Sequence, residues 1–312
     1  MVKRSLFPSL ALTTALLTFG LIAFGAVVRV TDSGLGCGND FPLCNGTIFP
    51  PLDNVTAWIE WLHRLFAVLI GLFGIAMLVT AFRAYRKQNA LVITATLTAA
   101  GLFALQSTLG ALVVVLGLPP TAVTLHLGTA MLLLGALLLG ALAAMYRPRE
   151  HYAADRFTIL AYTTTALALV IVLTGALVRG SGATLACTDW PLCNGSLFPV
   201  SGGQSALIHM MHRYAVGGFG IVLVLLVWTV FTSRRDARLR TLAVLALVLY
   251  LAQAGIGAMY VVTSAGVVWG ALHCLPSRAT WALLVVLSVI ETLNTRESRQ
   301  TETQWQPQPM HN

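Results

Sequence analysis

Apolar segments long enough to cross a lipid bilayer recur along almost the whole chain. We predict eight, at residues 9–30, 58–82, 91–117, 121–145, 157–178, 206–231, 241–263 and 267–290. Each is close to the roughly 20 residues that a transmembrane helix needs. Only 10% of the 312 residues are charged, whereas a soluble domain carries about 25%. Because a spanning segment must satisfy its own backbone hydrogen bonds in lipid, the sequence predicts an all-α polytopic membrane protein.

The basic residues predict how the spans are oriented. If the spans alternate in direction, fourteen of the 19 Lys and Arg residues fall on one side: Lys3, Arg4, Arg83, Arg86, Lys87, Arg147, Arg149, Arg156, Arg234, Arg235, Arg238, Arg240, Arg296 and Arg299. This side should be cytoplasmic, together with both termini. The net charge of +8 therefore reflects topology and does not indicate nucleic-acid binding. The other five, at outer ends of spans, need another explanation: Arg29, Arg64, Arg179, Arg213 and Arg278.

The second half of the chain resembles the first. GAVVRVTDSGLGCGNDFPLCNG at 25–46 resembles GALVRGSGATLACTDWPLCNG at 175–195, and the spans that follow align as well. Four spans is an even number, so we expect two pseudo-symmetric four-helix bundles in parallel orientation. They would comprise residues 1–147 and 148–292, followed by a disordered cytoplasmic tail at 293–312.

Four histidines form a two-plus-two pattern within the spans. His63 and His126 lie in the first turns of spans 2 and 4, and the repeat aligns them with His212 and His273 in spans 6 and 8. Ionisable residues inside spans usually mark functional sites. Two histidines from facing helices are the axial ligands of a b-type haem, so we predict one haem per bundle. Zinc or another transition metal is the alternative.

Other charged residues lie close to these histidines. Haem carries two propionates, and we predict that they bind Arg29, Arg64, Arg179 and Arg213. Lipid headgroups or loop carbonyls are the alternative partners. Glu60 is the one carboxylate inside the predicted spans, where the second copy has His209. Near a haem it could transfer a proton, orient substrate or stabilise developing positive charge; a simple ion pair with Arg64 is the alternative.

The outer loops each contain a pair of cysteines. Disulfides Cys37–Cys44 and Cys187–Cys193 are expected there, because the outer side of a bacterial membrane is oxidising. They could be structural or could exchange with a partner. The Cys-x-x-Cys-His attachment motif is absent, so haem would be held non-covalently. Cys274 is left unpaired.

The two loop stretches, together with Glu-Trp-Leu-His-Arg at 60–64, resemble the haem A synthase family of the CtaA/COX15 type over about residues 8–290. The paired cysteines in both outer loops resemble its bacterial subgroup, which has cysteine pairs in two outer loops. The resemblance implies an oxidoreductase of the bacterial inner membrane. It would oxidise the ring methyl of haem O to a formyl group in two hydroxylations, supplying the cofactor of cytochrome c oxidase.

The resemblance also implies which residues do what. His212 and His273 would hold a permanent haem b, while haem O would bind as substrate near His63 and His126, with Glu60 needed for turnover. Expected partners are haem O and haem A, membrane lipid, haem O synthase, cytochrome c oxidase assembly factors and an electron acceptor that the sequence does not identify.

Two other functions stay open on the sequence alone. One is a dihaem b-type electron-transfer protein without haem-modifying activity. Its haems would normally lie near opposite faces of the membrane, whereas all four histidines are predicted near the outer side. The other is a thiol–disulfide relay that uses the two cysteine loops.

Overall fold

The computed structural model describes residues 5–148, 152–199 and 202–304, and within these ranges the chain forms eight long α-helices. They are α1 (Phe7–Val30), α2 (Val55–Tyr85), α3 (Ala90–Val115), α4 (Pro120–Met145), α5 (Arg156–Gly180), α6 (Gly203–Ser233), α7 (Ala237–Val262) and α8 (Val267–Gln304). All eight are long and apolar enough to cross a membrane. The predicted fold class is confirmed, and the predicted spans agree with the helices to within a few residues, except at the end of α8.

Polar caps explain why several helices begin before their apolar segments do. The side chains of Asn54, Asn89, Asp155 and Asp236 each accept a backbone N–H from the first turn of α2, α3, α5 and α7. Such caps satisfy donors that a helix start leaves free. Pro120 opens α4, where its missing N–H is not needed.

The same helix pairs pack in each half of the molecule. In the first half, α1–α4, both α1 and α3 pack against α2 and α4; in the second half, α5–α8, both α5 and α7 pack against α6 and α8. The halves meet where α4 contacts α5 and α8, and where α8 contacts α1. α4 and α8 are also the most buried helices. The predicted boundary at 147/148 falls between α4 and α5, although a duplicated unit remains a prediction.

The long connections α1–α2 and α5–α6 share one local structure and define what we call the loop end of the molecule. Each begins with a short 3-10 turn, Ser33–Leu35 or Ala183–Leu185. Each then closes a disulfide, Cys37–Cys44 or Cys187–Cys193, whose sulfurs are buried. The predicted disulfide pairing is therefore confirmed. Cys274, the free cysteine of the described residues, is half-buried on α8.

The end of α8 corrects one prediction. The helix continues to Gln304, so a disordered tail starting at 293 is wrong for residues 293–304; residues 305–312 lie outside the described ranges. The polarity of this segment suggested a solvated tail, yet Glu291 and Asn294 are completely buried. Glu291 pairs with Arg234 at 2.6 Å, and Asn294 accepts a hydrogen bond from Tyr146 at 3.0 Å. Partners inside the bundle thus replace water.

Arg234 is the centre of this buried cluster, which lies at the end opposite the loops. It also pairs with Asp155, the N-cap of α5, at 2.7 Å. The hydrogen bonds from Arg234 lower the pKa of Asp155, since they favour the ionised carboxylate. The cluster therefore joins the start of α5, the end of α6 and the end of α8.

Candidate functional site

Each of the four predicted haem ligands lies against a glycine of a neighbouring helix. A Cβ added at any of these glycines would come within 2.7 to 3.3 Å of the imidazole Cε1 atom. Separations this short are tighter than ordinary van der Waals contact, so each histidine needs a glycine beside it. The pairs are Gly25 with His63, Gly110 with His126, Gly175 with His212, and Gly257 with His273.

The histidines are brought together two by two, as the sequence predicts. His63 lies close enough to His126 to interact electrostatically, and His212 does the same with His273. The Nδ1 atoms of His63 and His126 are buried and have no hydrogen-bond partner among the described residues. An unpaired polar atom in an apolar setting is costly, so these two nitrogens lack the polar support that a structural core histidine normally has.

Three polar side chains support the histidine rings. Gln106 lies 3.1 Å from Nε2 of His126, and Gln253 lies 2.9 Å from Nδ1 of His273. Thr174 on α5 lies 2.8 Å from Nδ1 of His212. The two glutamines occupy corresponding positions in the two similar halves of the sequence. Neither they nor Thr174 were predicted as site residues. The sequence does contain a clue to Thr174, because the first half has Phe24 at the corresponding position.

Glu60 is held at the loop end of α2 and is only 3% exposed. Its Oε1 accepts a hydrogen bond from Arg64 Nη2 at 2.5 Å, and its Oε2 accepts from the backbone N–H of Cys37 at 2.9 Å. In the second half His209 is similarly buried and lies 3.2 Å from Arg213 Nη2. The two halves therefore place a carboxylate and an imidazole in corresponding environments.

Arg64 and Arg213 fasten the two disulfide loops onto their bundles. Arg64 Nη1 donates to the carbonyls of Asp40, Pro42 and Leu43 at 3.2, 3.3 and 2.9 Å. Arg213 makes the equivalent contacts with the carbonyls of Asp189, Pro191 and Leu192. Loop carbonyls are the alternative partners that the sequence left open. Propionate binding by these two arginines stays a prediction.

Arg179 connects the two halves at the loop end. Its Nη2 lies 3.1 Å from Oδ1 of Asp32 and 3.5 Å from the carbonyl of Arg29, both of which belong to the first half. Arg29 and Arg179 therefore lie close together at the loop end. Arg278, by contrast, is buried inside α8, where its Nη1 donates to the carbonyl of Cys274 at 2.5 Å.

The second loop carries a carboxylate of its own. The backbone N–H groups of Gly195 and Asn194 donate to Asp189 at 2.7 and 2.5 Å. These hydrogen bonds lower the pKa of Asp189. The carboxylate therefore stabilises the turn that follows Cys193.

Comparison with known proteins identifies the family. The model of the COX15-CtaA family, described as cytochrome oxidase assembly protein, matches residues 9–285. The chain belongs to the COX15-CtaA family. This match confirms the resemblance that the loop stretches and the histidine pattern indicated.

Relatives of this COX15-CtaA protein are similar over most of their length. One from Symbiobacterium thermophilum, named "Heme A synthase", is 34% identical over 294 residues, covering 89% of this chain and 92% of the relative. Proteins of the same name from Alkalihalophilus pseudofirmus and Geobacillus kaustophilus are both 32% identical. The first alignment covers 86% of this chain and 91% of the relative, and the second 92% and 93%.

The side chains at the two sites fit haem. Each half offers two imidazoles from facing helices, each packed so closely against a glycine that a Cβ there would crowd the ring. This donor set is typical of bis-histidine haem. In the part of the chain that is described, no three or more His, Cys, Asp or Glu side chains group together as a metal site.

Proposed function

We propose that this protein is a haem A synthase. It oxidises the ring methyl of haem O to a hydroxymethyl group and then to a gem-diol, which loses water to give the formyl group. Membership of the COX15-CtaA family and the haem A synthases among its relatives support the proposal. The observation that carries it within this chain is Glu60, a buried carboxylate three residues before His63, at the position where the second half has His209.

The two halves have different roles. Haem O binds as substrate in the bundle at 1–147, beside His63 and His126, and His212 and His273 hold a resident haem b in the bundle at 148–292. A bis-histidine haem supplies one-electron redox chemistry. The pairing of two imidazoles in each half supports this assignment, and the glycine packed against each ring lets the imidazole lie close to the neighbouring helix.

Glu60 acts on the substrate through its charge. An ionised carboxylate only accepts hydrogen bonds, and both oxygens of Glu60 do so. A fixed negative charge in an apolar site stabilises positive charge that develops on a substrate during oxidation. Arg64 and the Cys37 N–H hold the carboxylate in place, so that it does not reorganise during the reaction.

The protein works in the bacterial inner membrane, with both termini in the cytoplasm and the disulfide loops outside. The basic residues concentrated at the end opposite the loops support this orientation. Haem O synthase, cytochrome c oxidase assembly factors and an electron acceptor are the expected protein partners. Arg29 and Arg179 are candidates for the propionates, because neither holds a disulfide loop as Arg64 and Arg213 do, and Arg179 would exchange its ion pair with Asp32 for a propionate.

Expression beside a haem O synthase tests the function. Pigments extracted from membranes of cells that make the wild-type protein should contain haem A, whereas membranes without the protein should contain haem O only. Glu60→Gln should stop haem A formation while both haem sites still fill. The matched variant in the second half, His209→Gln, should retain activity.

Two results would reject the proposal. Haem-loaded, folded wild-type protein that leaves haem O unchanged would point to the dihaem electron carrier instead. Full activity in Glu60→Gln would remove the carboxylate from the mechanism.

A further inference from the structure

The two halves support their first histidine in chemically different ways. Thr174 and Gly175 of α5 face His212, whereas Phe24 and Gly25 of α1 face His63. The glycine is common to both halves, so the difference lies in the residue before it. A hydroxyl oxygen can fix a ring nitrogen by a hydrogen bond, and a phenyl ring cannot.

The hydrogen bonds of Thr174 assign the tautomer of His212. The Thr174 hydroxyl lies 2.9 Å from the carbonyl of Ile171, to which it donates its single proton. Its oxygen therefore accepts from Nδ1–H of His212, 2.8 Å away. With the proton held on Nδ1, Nε2 keeps its lone pair, which is the form of imidazole that binds iron.

His63 has no such support. The Phe24 ring lies 6.1 Å from the His63 ring, centroid to centroid. Nδ1 of His63 is buried and has no hydrogen-bond partner among the described residues. Nothing polar in the described surroundings of this nitrogen selects a tautomer or fixes the ring angle.

The histidine on the fourth helix of each half has a glutamine neighbour, and this contact does not distinguish the halves in the same way. A glutamine contacts the histidine in both halves, Gln106 with His126 and Gln253 with His273. In the second half Tyr260 also stacks on His273, with ring centroids 6.2 Å apart and planes 22° apart. Gln253 approaches Nδ1 of His273 through its amide nitrogen, which is a donor, so this contact does not hold a proton on Nδ1 as Thr174 does for His212. The contrast between the halves therefore lies in Thr174 and Phe24.

From this contrast we infer that Thr174 is a positioning residue that makes the second half retain its haem, and that Phe24 leaves the first half able to exchange its haem. An acceptor on Nδ1–H orients a metal-binding imidazole and raises its basicity, and loss of such a partner typically weakens metal binding about 10- to 100-fold. An enzyme that turns over one haem while keeping another needs this difference. The inference rests on the proposed haem ligation at both sites.

Haem release from the full-length protein in detergent tests the inference, with apomyoglobin as the acceptor. A His63→Ala background silences the first site, so that release reports on the second. There, Thr174→Val should release haem b about 10- to 100-fold faster. The reduction potential of that haem should rise, because a less basic imidazole stabilises ferric iron less. Thr174→Ser, which restores the hydroxyl, should release haem at the wild-type rate and keep the wild-type potential.

The reciprocal variant tests the first half. In a His212→Ala background only the first site is filled, and Phe24→Thr should slow its haem release and lower its potential. An unchanged release rate and potential in Thr174→Val would overturn the role of Thr174. So would a Thr174→Ser variant that behaves like Thr174→Val, because shape and not the hydrogen bond would then matter. No slowing in Phe24→Thr would overturn the role of Phe24.

Haem A formation, measured separately, distinguishes this inference from the proposed function. Wild-type protein that shows the expected release rates but makes no haem A would contradict the proposed reaction and leave the ring-positioning argument standing. Wild-type protein that binds no haem through these histidines would contradict both.

Discussion

At the scale of single residues, Arg64 has two possible roles that kinetics can separate. It donates to Glu60 and to three loop carbonyls, whereas the sequence suggested a haem propionate. We expect Arg64→Gln to lower turnover about 100-fold or more, as loss of a preorganised electrostatic group does, with little change in the KM for haem O. A propionate contact would instead appear as a raised KM.

The matching residue in the second half is the control for this experiment. Arg213→Gln removes the equivalent loop contacts but leaves Glu60 and its partners intact. Turnover close to wild type is expected. If both variants lose turnover equally, general loosening of the loops explains the loss, and the contact between Arg64 and Glu60 does not.

The glycines beside the histidines give a second prediction at this scale. A Cβ at Gly257 would lie 2.7 Å from Cε1 of His273, while a Cβ at Gly255, on the same helix, would meet nothing within 4 Å. Gly257→Ala should therefore displace the ring and weaken haem b binding about 10- to 100-fold. Gly255→Ala should bind haem normally. Haem content after purification, read from the absorbance spectrum, checks both; equal content in the two variants would contradict the expected crowding.

At the scale of elements, the two disulfide loops share a structure but should differ in importance. The N–H of Cys37 holds Glu60, and the second loop has no carboxylate to hold at the corresponding position, since His209 lies there. Replacing both cysteines of either loop by Ser should cost about 2–3 kcal/mol of stability, the value for a closed loop of this size. Only the pair Cys37→Ser, Cys44→Ser should also lower turnover.

Thermal unfolding and haem A formation, measured on both double variants, check this prediction. Loss of activity in the Cys187→Ser, Cys193→Ser protein equal to that in the first-loop protein would instead favour a thiol–disulfide relay. Unchanged turnover in the first-loop protein would show that the disulfide is not needed to position the Cys37 N–H.

Most elements could be predicted from the sequence because the physics behind them is local. A continuous apolar segment of bilayer length must form a helix in lipid, whatever its neighbours. All eight helices can be predicted for this reason. The end of α8 could not, since Glu291 and Asn294 are polar and their burial depends on Arg234 and Tyr146, far away in the sequence. The bond from Cys37 to Glu60 was missed for the same reason.

At the scale of the whole molecule, the two halves have the same helix packing but differ in the charged residues buried at the end opposite the loops. Phe7 and Tyr85 form a ring contact at 5.2 Å in the first half. At the corresponding place in the second half, Arg234 lies over the ring of Phe157 at 4.7 Å and pairs with Asp155 and Glu291. One half therefore closes this end with an apolar contact and the other with buried ions.

The buried ion cluster yields the last prediction. Arg234 is 4% exposed and Glu291 is fully buried, so Arg234→Met leaves an unpaired carboxylate inside the bundle. Breaking a buried pair in this way costs about 3–5 kcal/mol, whereas replacing both partners with apolar residues can be neutral or stabilising. The double variant Arg234→Met, Glu291→Leu should therefore recover most of the lost stability, because the first half shows that an apolar contact suffices at this place. Thermal unfolding in detergent measures both. If the double variant is as unstable as Arg234→Met, the cluster is required for its hydrogen bonds to Tyr152 and Thr158, and the two halves are not interchangeable at this end.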